Sequence, residues 1–179
     1  MRANFLSDAL SHSARLIHPT SLERLDLLGP TIQFVTDPAE DDAPCIMRGT
    51  VPSGVSIPLH SHADPETFLP LSGQLRGLTF HGEEFEWIEI RPGAIFHVPG
   101  GATHAFRNDG TEEAVMIIAS TTTIGRFFRE LGVPVAPGSP PSGPPSADRV
   151  QRFLATSARY GYWNASPEEN ARVGISLPF

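Results

Sequence analysis

The chain has 179 residues, 13 basic against 20 acidic side chains and a net charge of −7, with 40% hydrophobic and 18% charged residues. That is enough apolar material for one packed core, and the acidic balance argues against binding nucleic acid through its phosphates. A single cysteine, Cys45, excludes an internal disulfide framework and a cysteine-based zinc cluster, so any metal site must be built from histidines and carboxylates. No apolar run approaches the roughly 18 residues of a membrane span, and the N-terminus lacks a basic stretch followed by a long apolar one. A soluble, cytoplasmic protein with no membrane partner is therefore expected. The count of 18 prolines and 16 glycines is high, and means either disorder or many short strands joined by tight turns.

In chain order, Phe5, Leu6, Ala9, Leu10, Ala14 and Ile17 recur at helical spacing, so an amphipathic helical arm is expected over residues 1–20. Residues 22–28 read as a strand that Gly29-Pro30 turns into the next. From there to Ser120, turn residues punctuate short runs such as Thr31-Ile-Gln-Phe-Val-Thr36, Phe85-Glu-Trp-Ile-Glu-Ile90 and Ala114-Val-Met-Ile-Ile-Ala119. These runs are rich in β-branched and aromatic residues, the pattern of an all-β sandwich or barrel. The run 85–90 alternates and should bury one face. Thr123 is placed to cap a helix over 124–131, which completes a barrel with a closing helix over 21–132. A Pro-rich connector follows over 133–146. The tail over 147–179 should hold a helix capped by Ser146, with Val150, Phe153, Leu154 and Ala158 on one side, and a short helix opened by the capping box Ser166-Pro-Glu-Glu169.

Histidine spacing carries the chemistry. His60-Ser-His62 places two imidazoles on one face of a strand, Glu66 can return to that face if Ala63-Asp-Pro65 bends, and His104 follows the Pro99-Gly-Gly101 turn. Three neutral imidazoles and a carboxylate suit a first-row divalent ion. A lone His-x-His arises often by chance, so the surrounding glycines and prolines decide. Gly54-x5-His60-x-His62-x3-Glu66-x6-Gly73 and Gly93-x5-Pro99-x-Gly101-x2-His104-x3-Asn108 match the two cupin motifs at every fixed position, with residues 74–92 between them.

The chain thus resembles the cupin superfamily, in particular single-domain bacterial cupins of the quercetin-dioxygenase-like type. The resemblance implies an all-β, double-stranded β-helix (jelly-roll) barrel with one divalent ion, Fe, Mn, Ni or Zn, held by His60, His62, Glu66 and His104. It also implies a homodimer and a small-molecule substrate. Glu66 can serve as catalytic base by taking a substrate proton. Phe68, Phe106, Gln74 and His97 are candidate pocket residues, with barrel core as the alternative for the two phenylalanines and packing or an interface for His97. The expected function is a metal-dependent dioxygenase acting on an enediol, catechol, flavonol or diketone. The alternatives are a metal-dependent isomerase or decarboxylase and a non-catalytic small-molecule-binding cupin, because fold alone does not assign activity.

Overall fold

The structure is a computed structural model that describes residues 14–39, 44–82, 84–136, 138–139 and 143–176. A 3-10 turn, Pro19–Ser21, precedes β1 (Arg24–Asp26), β2 (Thr31–Phe34), β3 (Cys45–Val51), β4 (Ser56–Ser61), β5 (Glu66–Ser72) and β6 (Leu75–His81). Then come β7 (Glu84–Ile90), β8 (Phe96–Val98), β9 (His104–Arg107), β10 (Ala114–Ser120), helix α1 (Thr122–Leu131) and β11 (Val133–Val135). The tail consists of α2 (Ala147–Tyr160), β12 (Trp163–Asn164) and α3 (Pro167–Arg172).

The strands from β3 to β10 form two facing antiparallel layers, β3-β10-β5-β8 and β4-β9-β6-β7, the arrangement of a jelly roll. Strands β11-β1-β2 extend the first layer beside β3, and β12 extends the second beside β4. Alternation along the strands fills both sides of the second layer. Phe106 faces inward and joins Met47, Phe68, Leu75, Ile90 and Met116 in the main core. Its neighbour Ala105 faces outward with Leu59 and Leu78, where Val173 and Ile175 of the tail cover them. The tail is thus a lid on the outer face of the five-stranded sheet, and β9 is buried on both faces. Among the described residues no helix is long and apolar enough to cross a membrane.

Turns at the barrel corners depend on a few residues. Gly73 has φ +73°, and a Cβ there would stand 2.8 Å from Ala114 Cα, so the chain passes too close for a side chain. Asn108, at the end of β9, is buried and saturated: its Nδ2 donates to the carbonyls of Val51 (2.9 Å) and Glu112 (2.8 Å), and its Oδ1 accepts from Gly110 N (2.9 Å). One amide side chain thereby ties two loops together.

Several sequence expectations change. Residues 14–18 are not helical, and residues 1–13 of the expected arm lie outside the described residues. Pro134, placed in the connector, sits in β11 opposite Leu25. This is permissible because β11 is an edge strand, where a missing N–H costs nothing. Helix α1 is capped by Thr121 rather than Thr123, its hydroxyl accepting from Ile124 N at 3.3 Å. In α2 the expected stripe holds in part: Val150 and Phe153 are half-buried, Phe153 with its ring 5.8 Å from that of Phe127, but Leu154 and Ala158 are exposed, and Thr156 and Ser157 are buried instead. Strand β7 is at the sheet edge, so only Ile90 is fully buried, Trp87 is half-buried, and Phe85 and Ile88 remain exposed.

Replacing Asn108 by Ala removes three hydrogen bonds, the buried one to the Val51 carbonyl and the part-buried ones to Glu112 and Gly110. A loss of about 2–4 kcal/mol in unfolding free energy is expected, read by urea denaturation followed by circular dichroism. A loss below about 0.5 kcal/mol would show that water replaces the amide at no cost.

Candidate metal centre

The two layers bring the four predicted ligands to one point inside the barrel. His60 lies in β4 and His62 one residue beyond its end, Glu66 opens β5 on the opposite layer, and His104 opens β9. His60 and His104 are cross-strand partners because the β4–β9 register shifts between Ile57 and His60. Their ring centroids are 4.1 Å apart, and His62 stands 5.1 Å from His104, edge to face. One ligand atom from each of the four residues lies within 4.8 Å of every other. Glu66 and His104 are 4% and 2% exposed, and His62 is also buried, while His60 is half-buried.

Each imidazole has one nitrogen committed to the backbone. Nδ1 of His60 donates to the Pro58 carbonyl at 2.7 Å, that of His62 to the Asp64 carbonyl at 2.8 Å, and that of His104 to the Ala102 carbonyl at 2.9 Å. A carbonyl only accepts, so Nδ1 carries the proton in all three rings and each Nε2 presents a lone pair. The buried Nε2 atoms of His62 and His104 make no hydrogen bond and point at Glu66 Oε2, at 3.3 and 3.4 Å. Lone pairs and a carboxylate converging without a donor between them are satisfied by a cation, and the donor set of three imidazoles and one carboxylate fits a divalent first-row ion.

Titration follows from the same geometry. Burial, reinforced by the neighbouring His104, lowers His60 to about 3, so this ring is neutral and available as a ligand. Burial alone would raise the Glu66 carboxyl, but the surrounding His104 and His62 imidazoles hold it down at about 2. Burial also works to lower His62, yet Glu66 outweighs it and leaves this ring raised. Burial and the neighbouring Asp64 raise the Tyr162 hydroxyl, which stays protonated and donates.

The loops that deliver the ligands touch each other. Gly101 N donates to the His62 carbonyl at 2.7 Å, and a Cβ on Gly100 would collide with the Ala63 carbonyl oxygen. The Pro99-Gly100-Gly101 turn therefore sets how closely His104 approaches His62. Beside His104 a cavity of about 600 Å³ opens, walled by Thr79, Phe96, His97, Val98, Thr103 and Trp163 among others. Of the candidate pocket residues, His97 is on this wall, with Nδ1 3.0 Å from Thr67 Oγ1. Phe68 and Phe106 are instead core, their rings 4.6 Å apart beneath the ligands. Gln74 is exposed in the turn between β5 and β6, off the cavity wall.

Sequence reasoning missed Asp64, Thr121, Tyr162 and Trp163. Only Asp64 had a signal, its position between two ligands.

Residues 47–120, about two fifths of the chain, match the model of the cupin domain family (Cupin_2). No curated protein matches the sequence. Among solved structures, a conserved double-stranded β-helix protein from Klebsiella pneumoniae is 17% identical, with 62% of this chain and 91% of that chain covered at a TM-score of 0.50. A protein of Thermotoga maritima described as a predicted oxalate decarboxylase is 16% identical over 60% of this chain and 98% of its own, at 0.48. An oxalate decarboxylase of Bacillus subtilis is 20% identical over 65% of this chain and 34% of its own, at 0.49. The likeness to the first shows the shared fold.

Two substitutions test the site. His104→Ala should weaken Mn(II) or Fe(II) binding by at least about 100-fold with the β-sheet circular dichroism unchanged, since loss of a ligand exceeds the effect of an outer hydrogen bond. Stoichiometric metal in this variant, by elemental analysis, would remove His104 from the ligand set. Gly100→Ala forces the Ala63 loop aside, with an expected loss of about 1–3 kcal/mol in stability and weaker metal binding in the same assay.

Proposed function

We propose that the protein is a metal-dependent dioxygenase for a small substrate with adjacent oxygens, such as an enediol, catechol, flavonol or diketone. The observation that carries this reading is the convergence of three Nε2 lone pairs on the Glu66 carboxylate beside an open cavity. His60, His62, Glu66 and His104 would hold one divalent ion. When bound, such an ion supplies Lewis acidity that favours the deprotonated, chelating form of the substrate and a place where dioxygen can meet it.

The remaining work falls to the chain. Glu66 is ionised at neutral pH and is the carboxylate placed to take the substrate hydroxyl proton, a transfer that its lowered pKa makes less favourable. The three backbone carbonyls behind the imidazoles keep the rings from turning as that proton moves. Phe96, Val98 and Trp163 offer apolar and aromatic surface to a ring, and Thr79, Thr103 and His97 offer hydrogen bonds at its edge. The described walls carry no Arg or Lys, so a neutral or singly charged ring suits them better than a dicarboxylate.

The test is oxygen consumption by metal-loaded protein across a panel of catechols, flavonols, enediols and diketones. Uptake with one class is expected, with kcat about 10²–10⁴-fold lower in Glu66→Gln at equal metal content. Turnover of a panel member without oxygen uptake would replace this reading by an isomerase or decarboxylase, and no turnover across the panel by a binding protein.

A further inference from the structure

The carbonyl that fixes His62 belongs to Asp64, and Asp64 is itself held by residues remote in sequence. Asp64 is buried, two residues after His62 and two before Glu66. Its backbone carbonyl accepts from His62 Nδ1. Its carboxylate is gripped on both oxygens: Oδ2 accepts from the Tyr162 hydroxyl at 2.7 Å, and Oδ1 accepts from the Thr121 hydroxyl. The Tyr162 ring also leans on the His62 ring, with centroids 5.1 Å apart at 48°.

Tyr162 is in turn fixed by the tail. Its N–H donates to Ser157 O at 2.9 Å, and its ring packs on Phe127 of α1 with centroids 4.8 Å apart. The residues after it, Trp163 and Asn164, pair with Ser61 and His60. Ala165 N then donates to Leu59 O at 2.9 Å, and the buried Asn170 accepts from Leu59 N at 2.8 Å. The outer edge of the strand that carries His60 is thus sealed by the segment that carries Tyr162.

We infer that Tyr162 is a positioning residue for the metal centre: its hydroxyl holds the Asp64 carboxylate and its ring backs His62, so the C-terminal tail takes part in setting the geometry of the ligand shell. The inference rests on the ligand set assigned above and is independent of the reaction. Outer hydrogen bonds that orient a ligating histidine typically change metal affinity by about 10–100-fold, and this one acts a step further out, toward the lower figure.

The test uses Co(II) as probe with the full chain. Tyr162→Phe keeps the ring and removes the hydroxyl, and Asp64→Asn keeps the shape and removes the charge. Tyr160→Phe removes a hydroxyl from the same tail whose partner, Glu130 at 3.4 Å, is unconnected to Asp64. Tyr162→Phe and Asp64→Asn should each weaken Co(II) binding about 10-fold and shift its visible absorption bands. The double variant should be no weaker than the worse single one, because both changes break the same link. Tyr160→Phe should match the wild type. If Asp64→Asn does not fold, Tyr162→Phe decides alone. Wild-type affinity and spectrum in Tyr162→Phe, or an equal loss in Tyr160→Phe, would overturn the inference while leaving the ligand set intact. A wild-type protein that binds no Co(II) overturns the ligand set and the inference together. Co(II) binding without oxygen uptake in the native-metal enzyme removes the dioxygenase reading alone.

Discussion

Everything in the centre depends on where three imidazole protons reside. Because the carbonyls of Pro58, Asp64 and Ala102 each take an Nδ1–H, three Nε2 lone pairs are free to meet at one place. If one ring turned over, its N–H would point inward and repel a cation. The backbone therefore selects the tautomer, and the backbone is held by the jelly roll: two ligands come from a strand of one layer and its end, one from the strand paired with it, and the carboxylate from the layer opposite. Neither sheet alone could assemble the set.

That dependence explains why the surroundings are so constrained. The register shift in β4 lets His60 face His104, and the turn at Gly100 meets the loop at Ala63 without room for a methyl group. Beneath the ligands, Phe68 and Phe106 pack ring against ring and close the barrel. The aromatic residues that the sequence offers as substrate contacts are thus the floor of the site, while the cavity wall is built from Phe96, His97 and Trp163.

Much of this was legible in the sequence, for an identifiable reason. Residues confined to short-range rules announce themselves: His60 and His62 by strand alternation, Gly73 and Gly101 by the positive φ their turns demand, Ser166 by its capping box. What stayed hidden depends on pairings across the chain. Nothing near Tyr162 points to Asp64, and nothing near Asn170 points to Leu59. The face of α2 was only half legible: Phe153 packs on Phe127 as its apolar stripe suggests, but the helix buries Thr156 and Ser157 in place of Leu154 and Ala158 and also docks through Arg149, 2.7 Å from Asp26. Pro134 was misread because a proline-rich composition describes a stretch as a whole and misses the one residue that reaches a sheet edge.

The seal on β4 also gives the centre a history in time. Leu59 and Asn170 are separated by 111 positions, and Asp64 and Tyr162 by 98, so these bonds close very large loops and belong to the slow class of contacts. On the ribosome, all four ligands emerge before Tyr162 does. A growing chain can pair its barrel strands and gather its histidines, yet His62 lacks its backing until the tail has been made and has folded back. The full set of contacts around His62 is therefore a late event, because it waits for the segment that carries Tyr162 to dock.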